Sequence, residues 1–476
     1  MSSLIRFYNE RLMYYEEEFM EDLASLVAIR SVRDEETKAP GAPFGEGIRN
    51  AFDQMTAIAN RDGFETVDFD GYAMHIEHGE GDETVGVLAH LDIVPEGDWK
   101  EWGVDPFTLT RYNGHLYGRG VNDDKAPALA AYYALKILRD MGMNFHRKVR
   151  IILGGAEETT WECMDHYFKH NEQPTMAFSP DGDFPIVNGE KGVVQGTLYK
   201  QLEKNDEDGE FNHQLISIDS EEQRGFICEY LKVVFKSTDP EYLQKQLQEA
   251  EQTAVVDETV IAFYKGEKAL SRNPHKGENA IFKFSRDLFN MDLSVGNTGE
   301  LKELLETYFH EDIHGKNIGL FLEDEEMGIT TFSIPYLKIK DQRLEMAFDY
   351  RFPKGQTVEG AIADLTEFCQ ENGFEHSIYK TYKPLFVPQD STLIKTLQRA
   401  YKNVTGETPE CMTKGGISYS RALDNCVAFG PTMPGDVPNT HKANERIRLK
   451  SLHQAIIIYC ETIRLLATIP IRSEVK

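Results

Sequence analysis

Three segments within the stretch Thr84 to Glu158 constrain this chain more than any other feature. The first, Thr84-Val-Gly-Val-Leu-Ala-His90-Leu-Asp92, is an apolar run ending in a histidine and an aspartate. The second, Tyr117-Gly-Arg-Gly-Val-Asn-Asp123-Asp124-Lys125, is a glycine-containing loop that opens a helix. The third, Val149-Arg-Ile-Ile-Leu-Gly-Gly-Ala-Glu157-Glu158, is an apolar run ending in two carboxylates. Apolar strands that each end in histidine or carboxylate residues predict an open α/β sheet presenting metal ligands beyond its C-terminal strand ends.

The spacing has a physical logic. His90 and Asp92 are two residues apart, so in extended chain both point to one face. A ligating imidazole needs a nearby carboxylate to fix its tautomer and raise its basicity. Asp123 and Asp124 stand where loop becomes helix, and Pro127 suits that helix's first turn. Glu157 and Glu158 are adjacent and diverge in extended chain, so one can bind metal while the other takes a proton from the attacking water.

Length and charge narrow the classes. At 476 residues the chain is long for one core, and two or more domains are expected. A formal net charge of −28 excludes nucleic acid and anionic membrane as expected partners, because both need basic patches. The six cysteines are scattered without a CxxC pair, as in a reduced, cytoplasmic protein. Met1-Ser-Ser-Leu-Ile-Arg runs into Glu16-Glu-Glu18 without an apolar stretch, so no signal peptide is expected. No apolar run approaches membrane-spanning length.

Taken in order, periodicity predicts an amphipathic helix over 13–29 and a second over 47–61, stopped by Gly63. Strands follow over 64–78, whose His75 and His78 read as surface residues. A helix from Lys125 to about Met141 is apolar nearly all round, which marks it as buried against a sheet, and Gly142 caps it. Thr175-Met-Ala-Phe-Ser-Pro-Asp181 is a further strand ending in a carboxylate. The polar stretch Asn205-Asp-Glu-Asp-Gly-Glu210 lacks the end ligands of a calcium loop and reads as a solvated connection. Short strand-like and helix-like segments alternate from about 230 to 383 and predict a separate α+β module. Helices over 391–404 and 449–466 flank the glycine-containing loop Cys411-Met-Thr-Lys-Gly415-Gly416-Ile-Ser-Tyr-Ser-Arg421. That loop suits close backbone approach by a ligand.

A rival metal motif is present. His310-Glu311-Asp312-Ile313-His314 matches the H-E-x-x-H pattern of zinc proteases at the end of a helical stretch from about Gly299. Gly315 follows at once, which puts the pair on the last turn of that helix rather than mid-helix. His166 and His170 also share an i, i+4 face, with no acidic base between them.

His90-Leu-Asp92, Gly118-Arg-Gly-Val-Asn-Asp123-Asp-Lys125, Glu157-Glu158, Ser179-Pro-Asp181 and His441-Lys-Ala-Asn-Glu445 together resemble the carnosinase and aminoacylase type of dinuclear zinc peptidases. The likeness covers essentially the whole chain, with the motifs in family order. It implies roles that spacing leaves open. Asp123 would bridge two metals, with a cis bond to Asp124. His90 and Asp181 would complete one site, Glu158 and His441 the other. Asp92 would orient His90, and Glu157 would be the general base. The metals would be two zinc ions, with manganese or cobalt as alternatives.

The resemblance extends to an inserted lid. Arg272-Asn-Pro-His275-Lys-Gly-Glu-Asn279-Ala280 is similar to the segment whose histidine stabilises the tetrahedral intermediate, and Asp349-Tyr-Arg351-Phe-Pro353 to that whose arginine grips the substrate carboxylate. Backbone amides near Gly415 and Gly416 would assist Arg351. His275 stands in Pro-His-Lys rather than the commoner Ala-His-Gly, and Arg224-Gly-Phe-Ile-Cys-Glu-Tyr230 lacks the family's Gly-Arg-x-Asn pattern. The implied fold is α/β: a catalytic domain over 1–190 and 384–476 with a mixed, mostly parallel sheet flanked by helices, and an α+β lid over 191–383. Inserts of this length supply the lid histidine in cis, which implies a monomer. The implied activity is dipeptide hydrolysis. The rivals are an N-acyl-amino-acid deacylase or a tripeptidase on the same metals, and, from another class, a non-catalytic acidic metal-binding protein.

Overall fold

The computed structural model describes residues 3–203, 213–291 and 296–468. The acidic stretch Asn205–Glu210 lies outside the described residues. The chain divides into two compact units. Unit 1 comprises Met1–Gly189, Phe386–Met412 and Ile417–Lys476, and unit 2 comprises Glu190–Leu385 with Thr413–Gly416. Each has its own apolar core.

Unit 1 is built on a mixed sheet. Its strands are β1 (Glu65–Phe69), β2 (Ala73–His78), β3 (Thr84–His90), β4 (Lys148–Gly154), β5 (Met176–Ser179), β6 (Ile186–Glu190) and β7 (Cys426–Ala428). They lie in the order β1-β2-β4-β3-β5-β7-β6. The four central strands β4, β3, β5 and β7 are parallel, and the flanking pairings are antiparallel. The centre reads as near-continuous apolar sequence because parallel strands are covered on both faces. In β3 every residue from Val85 to His90 is buried. The chain leaves β3 for β4 on one side and returns from β4 to β5 on the other, which makes the C-terminal end of β3 a topological switch point. A crevice for ligands opens at such points.

Among the described residues, six helices flank this sheet: α1 (Ser3–Val27), α2 (Glu46–Arg61), α3 (Lys125–Asp140), α4 (Glu162–His170), α5 (Thr392–Thr405) and α6 (Leu449–Thr468). In α3 all residues from Lys125 to Leu138 are buried, since α1, α6 and the sheet close on it from different sides. Gly142 ends it in the left-handed region at φ +67°. Helix α1 starts ten residues earlier than the periodicity of 13–29 suggests. Ile5, Tyr8 and Leu12 extend the buried face of Phe19, Leu23 and Leu26 across the polar residues between them.

His75 is a correction to the sequence reading. It is buried, not on the surface, and its Nδ1 lies 2.7 Å from the Tyr167 hydroxyl. Burial pulls its pKa down to about 4. Helix α4 covers that strand, which alternation along β2 alone does not reveal.

Unit 2 holds an antiparallel sheet ordered Gln252–Val256, Thr259–Lys265, Tyr230–Ser237, His213–Ser220, Leu337–Lys340, Arg343–Phe352, Gly192–Gln201 and Glu375–Tyr382. Helices Ala280–Asn290 and Val358–Glu371 start on Asn279 and Thr357, whose side chains accept from Ile281 N–H and Gly360 N–H. The helix Gly296–Leu304 runs into one wider turn, Leu305–Phe309, and stops. His310 is already extended (φ −65°, ψ 121°) and Glu311 is left-handed at φ +54°. The H-E-x-x-H residues therefore lie beyond the helix and share no helical face.

Candidate metal centre

The ligand-bearing residues of unit 1 converge at the C-terminal edge of β3, β4 and β5. His90 ends β3, Glu157 and Glu158 follow β4, and Asp181 follows β5. Asp123 comes from the loop before α3, and His441 from the loop before α6. Ligand atoms of His90, Asp123 and Asp181 all lie within 4.8 Å of one another, as do those of Asp123, Glu158 and His441. Asp123 belongs to both groups.

Hydrogen bonding sets the orientation of each donor. His90 Nδ1 lies 3.0 Å from the Asp92 carbonyl oxygen, which can only accept, so Nδ1 donates there and the neutral ring would offer its lone pair at Nε2. Nε2 lies 3.1 Å from Asp123 Oδ1. His441 Nε2 lies 2.9 Å from Asp123 Oδ2 and 3.0 Å from Glu158 Oε1. The Asp92 carboxylate is 3.4 Å from His90 Nδ1, and it also accepts the Glu157 and Glu158 N–H groups at 3.2 and 3.0 Å. It thereby ties the end of β3 to the paired glutamates. The Asp123–Asp124 peptide is cis, as the resemblance implies.

Room for this arrangement comes from a glycine. Gly154 stands opposite His90 in the β3–β4 register. A Cβ there would fall 1.8 Å from the Tyr419 hydroxyl. That hydroxyl hydrogen-bonds Cys163 at 2.8 Å, and the Tyr419 ring meets His90 edge-on. On the far side, the His441 loop contains three left-handed residues, Asn439, His441 and Asn444. Such residues cost of order 1–3 kcal/mol each and persist only where their surroundings hold them. Here Asn444 accepts from Gly103 N–H at 2.7 Å and donates to the Glu101 carbonyl at 2.8 Å.

The electrostatics are those of a cluster short of positive charge. Burial, then neighbouring carboxylates, push Asp181 up to about 7 and Glu157 well above the usual range. Glu158 is raised for the same reasons. Against the cost of burial, Asp123, Asp92 and Glu157 hold the pKa of His90 well above its ordinary value. Asp123 and Glu158 raise that of His441 to about 11. Buried and part-buried carboxylates converging with two imidazoles, of which His441 is exposed, form an oxygen and nitrogen donor set that suits divalent zinc, manganese or cobalt. The residues present fit such ions.

Two residues here have no role assigned from sequence alone. Glu445, 1% exposed, accepts at Oε1 from the N–H groups of Gly120, Asn122 and Asp123, at 3.1, 2.9 and 3.1 Å. At Oε2 it accepts from Arg119 Nη1 at 2.7 Å. Glu445 thus fixes the loop that carries Asp123. The signal was its place at the end of the His441 segment; Arg119, in another segment, carried none.

The remaining candidates belong to unit 2. His275 is exposed on the short turn Pro274–Lys276, beside a cavity of about 240 Å³ lined by residues including Glu278, Phe282 and Ser333. Arg351 is buried and bonded to Asp349 twice, Nε to Oδ1 at 2.7 Å and Nη2 to Oδ2 at 2.9 Å. Its Nη1 donates to the Gly415 carbonyl, so Gly415 meets this arginine through its oxygen. Arg224 stacks on Tyr379. His310 packs edge-on against Phe289, and His314 Nδ1 lies 2.8 Å from the Thr330 carbonyl. His166 stacks on Tyr72. Among the described residues, only the two groups sharing Asp123 bring three or more such donors together.

A mixed α/β unit whose strand ends present two three-ligand groups sharing one aspartate defines a metallohydrolase. The sequence comparison makes the class specific: residues 86–465 match peptidase family M20/M25/M40, and the chain belongs to that family. It is 35% identical over 460 residues to "Putative dipeptidase YtjP" of Bacillus subtilis (strain 168), covering 95% of this chain and 97% of that protein. It is 34% identical over 467 residues to "Putative dipeptidase SH1171" of Staphylococcus haemolyticus (strain JCSC1435), covering 96% and 98%. The fold is similar to that of the di-peptidase Dug1p from Saccharomyces cerevisiae (TM-score 0.58, 13% identity, 99% of this chain and 100% of that one). It is also similar to aminoacylhistidine dipeptidase from Vibrio alginolyticus (TM-score 0.57, 12% identity, 95% and 96%). No helix among the described residues is long and apolar enough to cross a membrane.

Proposed function

We propose that this chain is a dipeptidase dependent on two zinc ions, with manganese or cobalt as functional substitutes, and that it works as a cytoplasmic monomer. The observation that carries this reading is the pair of three-ligand groups sharing Asp123, with Glu157 held beside them by Asp92. His90, Asp123 and Asp181 would hold one ion; Asp123, Glu158 and His441 would hold the other. Bound there, the cations lower the pKa of a water molecule and polarise the peptide carbonyl.

The chain's own residues do the rest. The Glu157 carboxylate takes a proton from the attacking water and delivers it to the departing amine nitrogen. Asp92 fixes the main chain of Glu157, so the carboxylate does not need to search for its position. Unit 1 is the catalytic domain in this reading and unit 2 the lid. His275 is the candidate donor to the oxyanion. Arg351 is a candidate for the substrate carboxylate: three of its five N–H groups are committed to Asp349 and Gly415, leaving two.

The test is a hydrolysis screen of the metal-titrated chain over dipeptides, tripeptides, dipeptide amides and N-acetyl amino acids. Dipeptides are expected to be cleaved, tripeptides slowly and amides hardly at all. Faster cleavage of N-acetyl amino acids or tripeptides would overturn the dipeptidase reading in favour of a deacylase or tripeptidase. Metal binding with no hydrolysis would favour a binding protein.

A further inference from the structure

The Arg351–Asp349 pair leaves an electrostatic problem for any anion it receives. Asp349 meets the charge of Arg351 with two short contacts, and Gln195 Nε2 donates to the same carboxylate at 2.7 Å. The pair is neutral as a unit. It offers an incoming carboxylate two N–H groups but little net attraction.

A second guanidinium lies alongside. Arg272 runs along Gly415, whose carbonyl Arg351 touches, and along Gly416: a Cβ on Gly415 would fall 3.3 Å from Arg272 Cβ, and one on Gly416 would fall 3.8 Å from Arg272 Nη1. The two glycines leave the space in which the Arg272 side chain lies. Among the described residues no carboxylate forms an ion pair with Arg272, in a chain with a net charge of −28. Arg272 is exposed at its surface, yet partial desolvation of its guanidinium, then the charge of Arg351, lower its pKa, with Asp349 opposing them. Holding two guanidiniums close in a partly desolvated place is unfavourable until an anion joins them. Clusters of this kind mark binding sites.

We propose that Arg272 is a specificity-determining residue for the free C-terminal carboxylate of the substrate: Arg272 supplies the net charge, and Arg351, fixed by Asp349 and Gly415, supplies the geometry. This rests on the dipeptidase reading. The unpaired guanidinium beside the Gly415–Gly416 backbone is the feature that separates this site from a single-arginine clamp.

The experiment compares the wild type with Arg272→Gln and Arg272→Lys. The probes are Ala-Ala, its C-terminal amide, and a non-hydrolysable Ala-Ala analogue with a methylene in place of the peptide carbonyl, as acid and as amide. Hydrolysis of Ala-Ala by the wild type tests the dipeptidase reading by itself. If the wild type cleaves no dipeptide, that reading falls and takes this proposal with it. The inference is read from the acid-to-amide preference, measured as binding by calorimetry and as kcat/KM. Arg272→Gln should lower the preference at least tenfold, chiefly through KM, while Arg272→Lys keeps most of it. A preference unchanged in Arg272→Gln overturns the proposal with the dipeptidase reading intact. So does equal loss for acid and amide, which would make Arg272 a structural residue.

Discussion

Replacing Glu445 by Gln changes one atom of a buried carboxylate and removes its charge. In the native arrangement Oε1 takes three backbone N–H groups and Oε2 takes the Arg119 guanidinium, 1% exposed. A Gln side chain has one acceptor. If its oxygen keeps the backbone N–H groups, its NH2 faces the Arg119 Nη1 donor; if it turns to Arg119, the NH2 faces the N–H groups. Either way donors face donors, and the Arg119 charge stays buried without its counter-ion. Breaking one side of a buried ion pair costs about 3–5 kcal/mol. At roughly 2 °C per kcal/mol for a unit of this size, the melting temperature should fall by about 6–10 °C. Because Glu445 holds the Asp123 N–H, metal affinity should also fall about 10–100-fold, the usual effect of losing a residue that orients a ligand. Thermal unfolding in chelator gives the first quantity, and metal titration of the folded variant gives the second. The double variant Arg119→Met/Glu445→Gln removes the stranded charge and should be more stable than Glu445→Gln alone. Strict additivity of the two substitutions, or a melting temperature within about 1 °C of wild type in Glu445→Gln, would refute the reasoning.

Other outcomes follow from the same geometry. Glu157→Gln should lose about 10²–10⁴-fold in kcat, the usual worth of a positioned base, while metal content stays unchanged. His441→Ala should bind one ion fewer by elemental analysis, and the reverse pattern would exchange the two roles. His310→Ala and Glu311→Gln should leave turnover and metal content within about twofold, as expected away from a functional site; loss of activity in a folded Glu311→Gln would restore the H-E-x-x-H motif as a contender. His75 has a folded pKa of about 4 against an ordinary 6.5, so the unfolded chain binds more protons between those values. Its contribution is therefore complete above pH 6.5 and is lost as pH falls towards 4, by about 3 kcal/mol at most. Denaturant titrations at pH 7 and pH 4.5 should show a smaller acid loss in His75→Gln than in the wild type, and an equal loss would contradict the assignment.

The amino-acid sequence by itself determined the parts of this protein that depend on short range. Strand periodicity and terminal residues placed His90, Asp123, Glu157, Glu158 and Asp181 at strand or helix ends, because side-chain direction along a strand is set by local geometry. The apolar circumference of 125–138 announced a buried helix for the same reason. Tertiary structure decided what depends on residues far apart in the chain. Glu445 meets the Asp123 backbone across more than three hundred residues, and no local pattern announces that three N–H groups will need that carboxylate. Burial of His75 needs α4 laid over β2. The H-E-x-x-H match read as helical until a left-handed Glu311 ended that possibility, since a spacing of four is a contact only while the helix lasts. Arg351 reads as a free clamp in sequence, yet Asp349, two residues before it on one strand and so on the same face, takes two of its N–H groups and the Gly415 carbonyl a third. A side chain's chemistry is written at its own position, but the partners that tune it are chosen by the fold.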